Sequence, residues 1–173
     1  MNDKQLDNLV GHISDFKIKE IDLSGNNIYS SRSFKSIISN KKLRKLVVTR
    51  NQLNINEVRS ILKYIKNSSR IRYIDLSSNG YAHDHCKGIL EKELFELLEN
   101  NPCLENIYLI DSAFEFVDVD RLYQSMVKIF DPRTCSNLKE FHISYFCDQR
   151  REHSVEEEFK IFENFKDEKM NSE

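Results

Sequence analysis

The stretch "IKEIDLSGNNI" at residues 18–28 returns, fifty-three residues later, as "IRYIDLSSNGY" at residues 71–81. A repeated phrase of this length is best tested as a period. Aligned on a pattern of apolar, two others, apolar, one other, apolar, two others and Asn, the chain supplies "IKEIDLSGN" from Ile18, "LRKLVVTRN" from Leu43 and "IRYIDLSSN" from Ile71. Two degenerate copies follow, "LENIYLIDS" from Leu104 and "LKEFHISYF" from Leu138, so the steps are 25, 28, 33 and 34 residues. Five registered copies are not a product of chance.

Each part of the phrase has a physical reason. The central apolar pair, Ile21 with Leu23 or Ile74 with Leu76, alternates with polar neighbours, the period-two signature of a strand with one buried face. Strands of about three to five residues are expected. Asn26, Asn51 and Asn79 fall where the chain leaves the strand, and a buried amide there can satisfy backbone groups the turn leaves unpaired. After the turn the spacing becomes helical: Val58, Ile61, Leu62 and Ile65 stand at i, i+3, i+4 and i+7 with Arg59, Lys63 and Lys66 facing outward. The same spacing recurs at Leu90, Leu94, Leu97 and Leu98, and at Leu122, Met126, Ile129 and Phe130. A strand, a turn and a helix cannot bury their apolar face alone, so each unit must stack on its neighbours.

On these motifs, from Ile18 to Phe146, the chain resembles the leucine-rich repeat family, in the subclass typified by ribonuclease inhibitor. The resemblance implies an α/β fold: a right-handed solenoid bent into a horseshoe arc, with a short parallel concave sheet and outer helices. Departures from the family pattern lie toward the C-terminal side. Repeat three carries an insertion around "YAHDHCKG" (81–88), repeat four has Ser112 in place of the ladder Asn, and the last copy has Phe146 there. The ladder is therefore expected to weaken in that direction. Helical caps are expected at both ends of the five repeats at 18–146. Leu6, Leu9, Val10 and Ile13 suit an amphipathic helix within 1–17. At 147–173, "SVEEEFKIFENFKDEKM" opens with Ser154 and Glu157 as a capping box and continues as a stripe of Val155, Phe159, Phe162 and Phe165. That stripe favours an acidic cap helix docked on the last repeat over a tail that binds in trans.

Composition bounds the setting. The 173 residues suffice for one domain that buries roughly two-thirds of its unfolded surface. Cys86, Cys103, Cys135 and Cys147 form no CxxC pair, and the polar opening "MNDKQLDNLV" lacks the regions of a secretory signal. An intracellular location, cytoplasmic or nuclear, is expected. No apolar run reaches the roughly 18 residues that cross a bilayer, so no membrane partner is expected.

The strand positions that do not point into the core form columns: Glu20, Lys45, Tyr73, Asn106 and Glu140; Asp22, Val47, Asp75, Tyr108 and His142; Ser24, Thr49, Ser77, Ile110 and Ser144. Apolar and aromatic residues at outward positions, flanked by charge, are the composition of a protein-binding hot spot. For any one tyrosine the alternative is that it merely suits a strand. Lys45, Val47, Tyr73, Asp75, Tyr108, Ile110 and His142 are the candidate protein-binding residues. Five strands about 4.8 Å apart and roughly 15 Å long present a face of only about 300 Å². A specific interface buries about 800 Å² per partner, so loops or a rim must also take part.

Charge is unevenly placed although the total is −2. From Arg32 to Arg72 twelve Lys or Arg oppose one acid, Glu57, a net of +11; from Tyr73 to Asp120 two basic residues oppose eleven acids, a net of −9. The basic end, with Lys41, Lys42, Arg44, Arg50, Arg59, Lys63, Lys66, Arg70 and Arg72, suits RNA phosphates in a ribonucleoprotein particle, an acidic protein, or plain solvation. No aromatic platform for single-strand stacking lies among these residues.

Enzymatic readings find little support. His83, Asp84, His85 and Cys86 are dense in metal-ligating types but lack a second ligand pair, so neither metal nor cofactor is expected. No glycine-rich phosphate loop, nucleophile elbow or HExxH is present, and no small-molecule substrate is implied. Cys103 and Cys135, each just before a strand, read as buried structural thiols. Ran GTPase-activating proteins, which share the resemblance, promote catalysis, but none of their functional residues can be matched here. The sequence points to a non-enzymatic interaction module, with a subunit of a ribonucleoprotein particle as the alternative.

Overall fold

A computed structural model describes residues 1–13, 16–79, 90–114, 124 and 137–145. The chain runs α1 (Asp3–Ile13), β1 (Glu20–Asp22), α2 (Phe34–Ile38), β2 (Lys45–Val47), α3 (Ile55–Lys66), β3 (Tyr73–Asp75), α4 (Glu91–Asn100), β4 (Asn106–Phe114) and β5 (Glu140–Tyr145). The five strands form one open, all-parallel sheet in the order of the sequence. The helices also neighbour one another in chain order. The inserted stretch at 81–88 with His83–Cys86, the helical stripe from Leu122 to Phe130, Cys135, Phe146, Cys147 and the acidic stripe at 154–170 lie outside the described residues.

The repeated phrase sets the register. Glu20, Lys45, Tyr73, Asn106 and Glu140 are successive partners across the strands, as are Ile21, Leu46, Ile74, Ile107 and Phe141. Leu46, Ile74 and Ile107 are fully buried against the same core as Ile61, Leu62 and Ile65 of α3. Period two on the strand and period 3.6 on the helix thus meet in one apolar layer. Helix α3 starts where Asn54 accepts hydrogen bonds from the backbone N–H groups of Asn56 (3.0 Å) and Glu57 (3.1 Å), so its first turn is capped by its own sequence.

Three asparagine amides tie the units together. Asn26, Asn51 and Asn79 each donate to the carbonyl three residues back: Leu23 at 2.8 Å, Val48 at 3.2 Å and Leu76 at 2.8 Å. Asn51 also reaches Leu23 of the preceding unit at 2.9 Å, and Asn79 reaches Val48 at 2.9 Å, so each of these carbonyls is shared by two consecutive amides. Their oxygens accept N–H groups of the preceding turn: Ile28 on Asn51 at 3.2 Å and Leu53 on Asn79 at 3.3 Å. On Asn26 that place is taken by the Met1 nitrogen at 2.6 Å. The residue before each amide is left-handed, Gly25 at φ 66°, Arg50 at 54° and Ser78 at 54°. Only the first uses glycine, the residue that adopts this conformation without steric cost.

A second ladder, which the sequence reading missed, closes the helix-to-strand turns. Asn40 donates to Ile13 O (3.2 Å) and Phe16 O (3.1 Å) and accepts from Lys42 N (3.0 Å). Asn101 donates to Ile65 O (2.9 Å) and Ser68 O (3.1 Å) and accepts from Cys103 N (2.9 Å) and Leu104 N (3.1 Å). Ser68, at the equivalent position between them, accepts from Ile71 N at 3.3 Å. The signal was a polar residue, Asn40, Ser68 or Asn101, three places before the phrases that begin at Leu43, Ile71 and Leu104.

Four expectations need adjustment. β4 and β5 are longer than three to five residues: without an Asn at position 112, β4 does not turn but continues to Phe114, which pairs with Tyr145 after a register shift. Leu9 is 38% exposed, because only Leu6 and Ile13 on α1 are buried. Cys103 is half-buried and free rather than enclosed. Val47, Tyr73 and Tyr108 are half-buried rather than exposed, because their neighbours on the sheet cover them.

Asn51→Ala is expected to lower stability by roughly 2–3 kcal/mol in urea unfolding, since it leaves the buried Ile28 N–H unpaired and removes the second donor from two shared carbonyls. Asn26→Ala, at the half-buried end of the ladder, should cost less.

Candidate functional site

On the face of the sheet opposite the apolar layer, the strand spacing decides which side chains touch. Parallel neighbours lie about 4.8 Å apart, close to the thickness at which aromatic rings pack. Tyr108 and His142, register partners on β4 and β5, stack with ring centroids 4.8 Å apart and planes within 8°. Tyr73 on β3 meets Tyr108 at 5.2 Å and 35°. Lys45 on β2 places its ammonium 4.7 Å from the Tyr73 ring centroid, within cation–π range. Four of the seven sequence candidates are thus brought into one continuous strip across four strands.

The remaining three sit beside it. Val47 lies between Asp22 and Asp75 in its register row. Asp75 accepts the Ser77 N–H at 3.0 Å, as Asp22 accepts Ser24 N–H at 2.8 Å, so both carboxylates are oriented where the strand ends. Ile110, 37% exposed, stands two residues beyond Tyr108 on β4. It lines an open groove of about 510 Å³ over the C-terminal ends of the strands with Ser24, Gly25, Thr49, Arg50, Asp75, Ser77 and Ser78. Thr49 Oγ1 donates to Ser24 Oγ at 2.9 Å along its floor. The groove and Glu140, which stood in its column without a role, are what the sequence did not single out. The groove appears only when residues from three turns meet.

Glu140 governs the electrostatics of the strip. The Tyr108 hydroxyl donates to its carboxylate, and His142 Nε2 lies 3.9 Å from the same oxygen. Burial and the Glu140 carboxylate push the Tyr108 phenol up to about 12. Burial, with Asp75 and Glu140 nearby, raises the Tyr73 phenol too. A second negative charge is unwelcome here.

The candidate RNA-binding cations are distributed differently. Arg59 Nε and Lys63 Nζ of α3 lie 2.7 and 3.4 Å from Oε1 of the buried Glu93 on α4, and Lys66 lies 2.6 Å from Glu96. Arg72 and Lys139 hold Glu105 between them at 2.5 and 2.7 Å. Four of the twelve cations at 32–72 are thus matched by acids of the following segment, three of them where α3 faces α4. Lys41, Lys42 and Arg50 are exposed, Arg44 donates to Leu43 O at 3.0 Å, and Arg70 buries its Nε without a hydrogen-bond partner among the described residues.

No protein-family model matches the chain, and no curated protein matches it. Among the described residues, no helix is long and apolar enough to cross a membrane, and no group of three or more His, Cys, Asp or Glu is placed to hold a metal ion.

Two titrations test these assignments. In an ultraviolet titration one tyrosine should resist ionisation until about pH 12, and Glu140→Gln should move it toward the ordinary value of 10.0. At the acid end, Lys66 holds the Glu96 carboxyl below its ordinary 4.5, and Lys139 and Arg72 do the same for Glu105. The unfolded chain then takes up protons first, so this stabilisation is present above about pH 4.5 and lost as pH falls through the depressed native values. The thermal midpoint should drop over that window, less steeply in Glu105→Gln and in high salt.

Proposed function

We propose that the chain is a short leucine-rich-repeat solenoid of the ribonuclease-inhibitor type, acting without catalysis as a protein-binding module through its sheet face. The repeat reading is supported by five phrases that stand in register, strand beside strand in chain order, with the helices ordered likewise. In this reading the solenoid is right-handed, arched, and capped by α1 at one end and by the acidic helix of 147–173 at the other.

The observation that carries the functional reading is the continuous strip Lys45–Tyr73–Tyr108–His142. Rings held on strands lose little conformational freedom when a partner arrives, so their apolar area contributes to binding with a small entropic cost. The partner would reach Asp75, Val47 and Ile110 from the same side. The reading places the chain inside the cell, in cytoplasm or nucleus, on the irregular spacing of its cysteines. The alternative, a ribonucleoprotein subunit bound through residues 32–72, draws on exposed Lys41 and Lys42. It is weakened where Arg59, Lys63, Lys66 and Arg72 already face acids.

Capture of partners by the tagged chain, at two salt concentrations and with or without ribonuclease, discriminates the two. Tyr73→Ala with Tyr108→Ala should reduce a ribonuclease-resistant partner by at least tenfold, while Lys42→Glu with Arg44→Glu leaves it bound. Loss of all captured material with ribonuclease, a steep salt slope, and release by the charge reversals would instead establish the RNA-bound alternative.

A further inference from the structure

The two outward register rows of the sheet carry four acids, Glu20, Asp22, Asp75 and Glu140, against one cation, Lys45. Those five residues sum to a formal −3 on a few strands, in a chain whose total is −2. The one cation is already committed, its ammonium lying 4.7 Å from the Tyr73 ring centroid.

We propose that the occupant of this face is a cationic segment of a partner protein, an extended stretch whose Arg or Lys side chains pair with Asp22 and Asp75 beside the Tyr73–Tyr108–His142 strip. The proposal rests on the protein-binding reading above and names the chemistry of the partner. A face of about 300 Å² is well under the roughly 800 Å² a globular partner usually covers, and suits a segment of a few residues that also touches the flanking loops. Asp22 and Asp75 are oriented before binding, each holding the N–H two residues ahead at 2.8 and 3.0 Å, so little ordering is left for the complex. Hydrogen bonds from Ser24 also hold the exposed Asp22 carboxyl below its ordinary 3.8.

Local cations fix where the segment lies. Lys19 and Arg44 stand immediately before β1 and β2 and repel a cation there, whereas Arg72 and Lys139, before β3 and β5, are paired with Glu105 before β4. Arg50 stands beyond the turn, on the groove. Between these sets the row Asp22–Val47–Asp75 is the anionic stretch, with Val47 at its centre for the aliphatic stem of a Lys or Arg.

The test is a selection of random eight-residue peptides displayed on phage against the full chain, counter-selected on Tyr73→Ala/Tyr108→Ala. Enriched peptides should carry an excess of Arg and Lys, and should bind Asp22→Asn/Asp75→Asn about tenfold more weakly at low salt. Asparagine keeps the Oδ1 acceptor for the Ser24 and Ser77 N–H groups, so this variant should retain the thermal midpoint of the parent. Enriched peptides that are neutral or acidic, or that bind the Asn variant equally, overturn the cationic partner and leave the sheet face as a binding site. No enrichment over the counter-selected variant overturns both.

Discussion

Everything in this molecule depends on a buried amide that serves two units at once. The carbonyls of Leu23 and Val48 each accept from two successive asparagines, and the amide oxygens of Asn51 and Asn79 take the N–H groups of Ile28 and Leu53. A strand of three residues has too few ladder bonds to hold its own turn. With the amide in place, the turn can be buried, and units can stack without leaving backbone groups unpaired. Where the amide is replaced, at Ser112, the chain does not turn and β4 runs on to Phe114. The same logic acts at the opposite turns, where Asn40, Ser68 and Asn101 close the path from helix to strand.

That backbone regularity fixes a pitch, and the pitch sets the chemistry of the exposed face. Side chains at one register position repeat at the strand spacing, so Tyr108 and His142 have little choice but to stack. Neighbouring helices are forced together in the same way. Their charges, placed in different halves of the sequence, become Arg59–Glu93 and Lys66–Glu96 pairs between α3 and α4. A basic segment and an acidic segment thus read as a dipole along the chain, and part of that charge is matched between adjacent helices. What is left outward on the sheet is aromatic and anionic.

Much of the fold was legible because its signals are local and periodic. Apolar residues at Ile21, Leu46, Ile74 and Ile107 recur within each phrase, and the asparagines mark each turn, so strands, their order and their register follow from counting. The columns that contain Lys45, Tyr73, Tyr108 and His142 followed with them. Less legible were the length of β4, the exposure of Leu9 and the half-burial of Cys103, because each depends on what packs alongside rather than on the residue's own neighbours in sequence.

The sequence by itself therefore determined the repeating unit, its buried face and the residues that stand in each outward row, since the pleat and the helical pitch convert spacing directly into direction. Only the tertiary structure decided that Tyr73, Tyr108 and His142 form one strip with Lys45 and Glu140, that three turns join into a groove, and that the cations of α3 are matched by the acids of α4. These are contacts between residues about 30 apart in the chain, set by the distance between stacked units, and no local pattern encodes that distance.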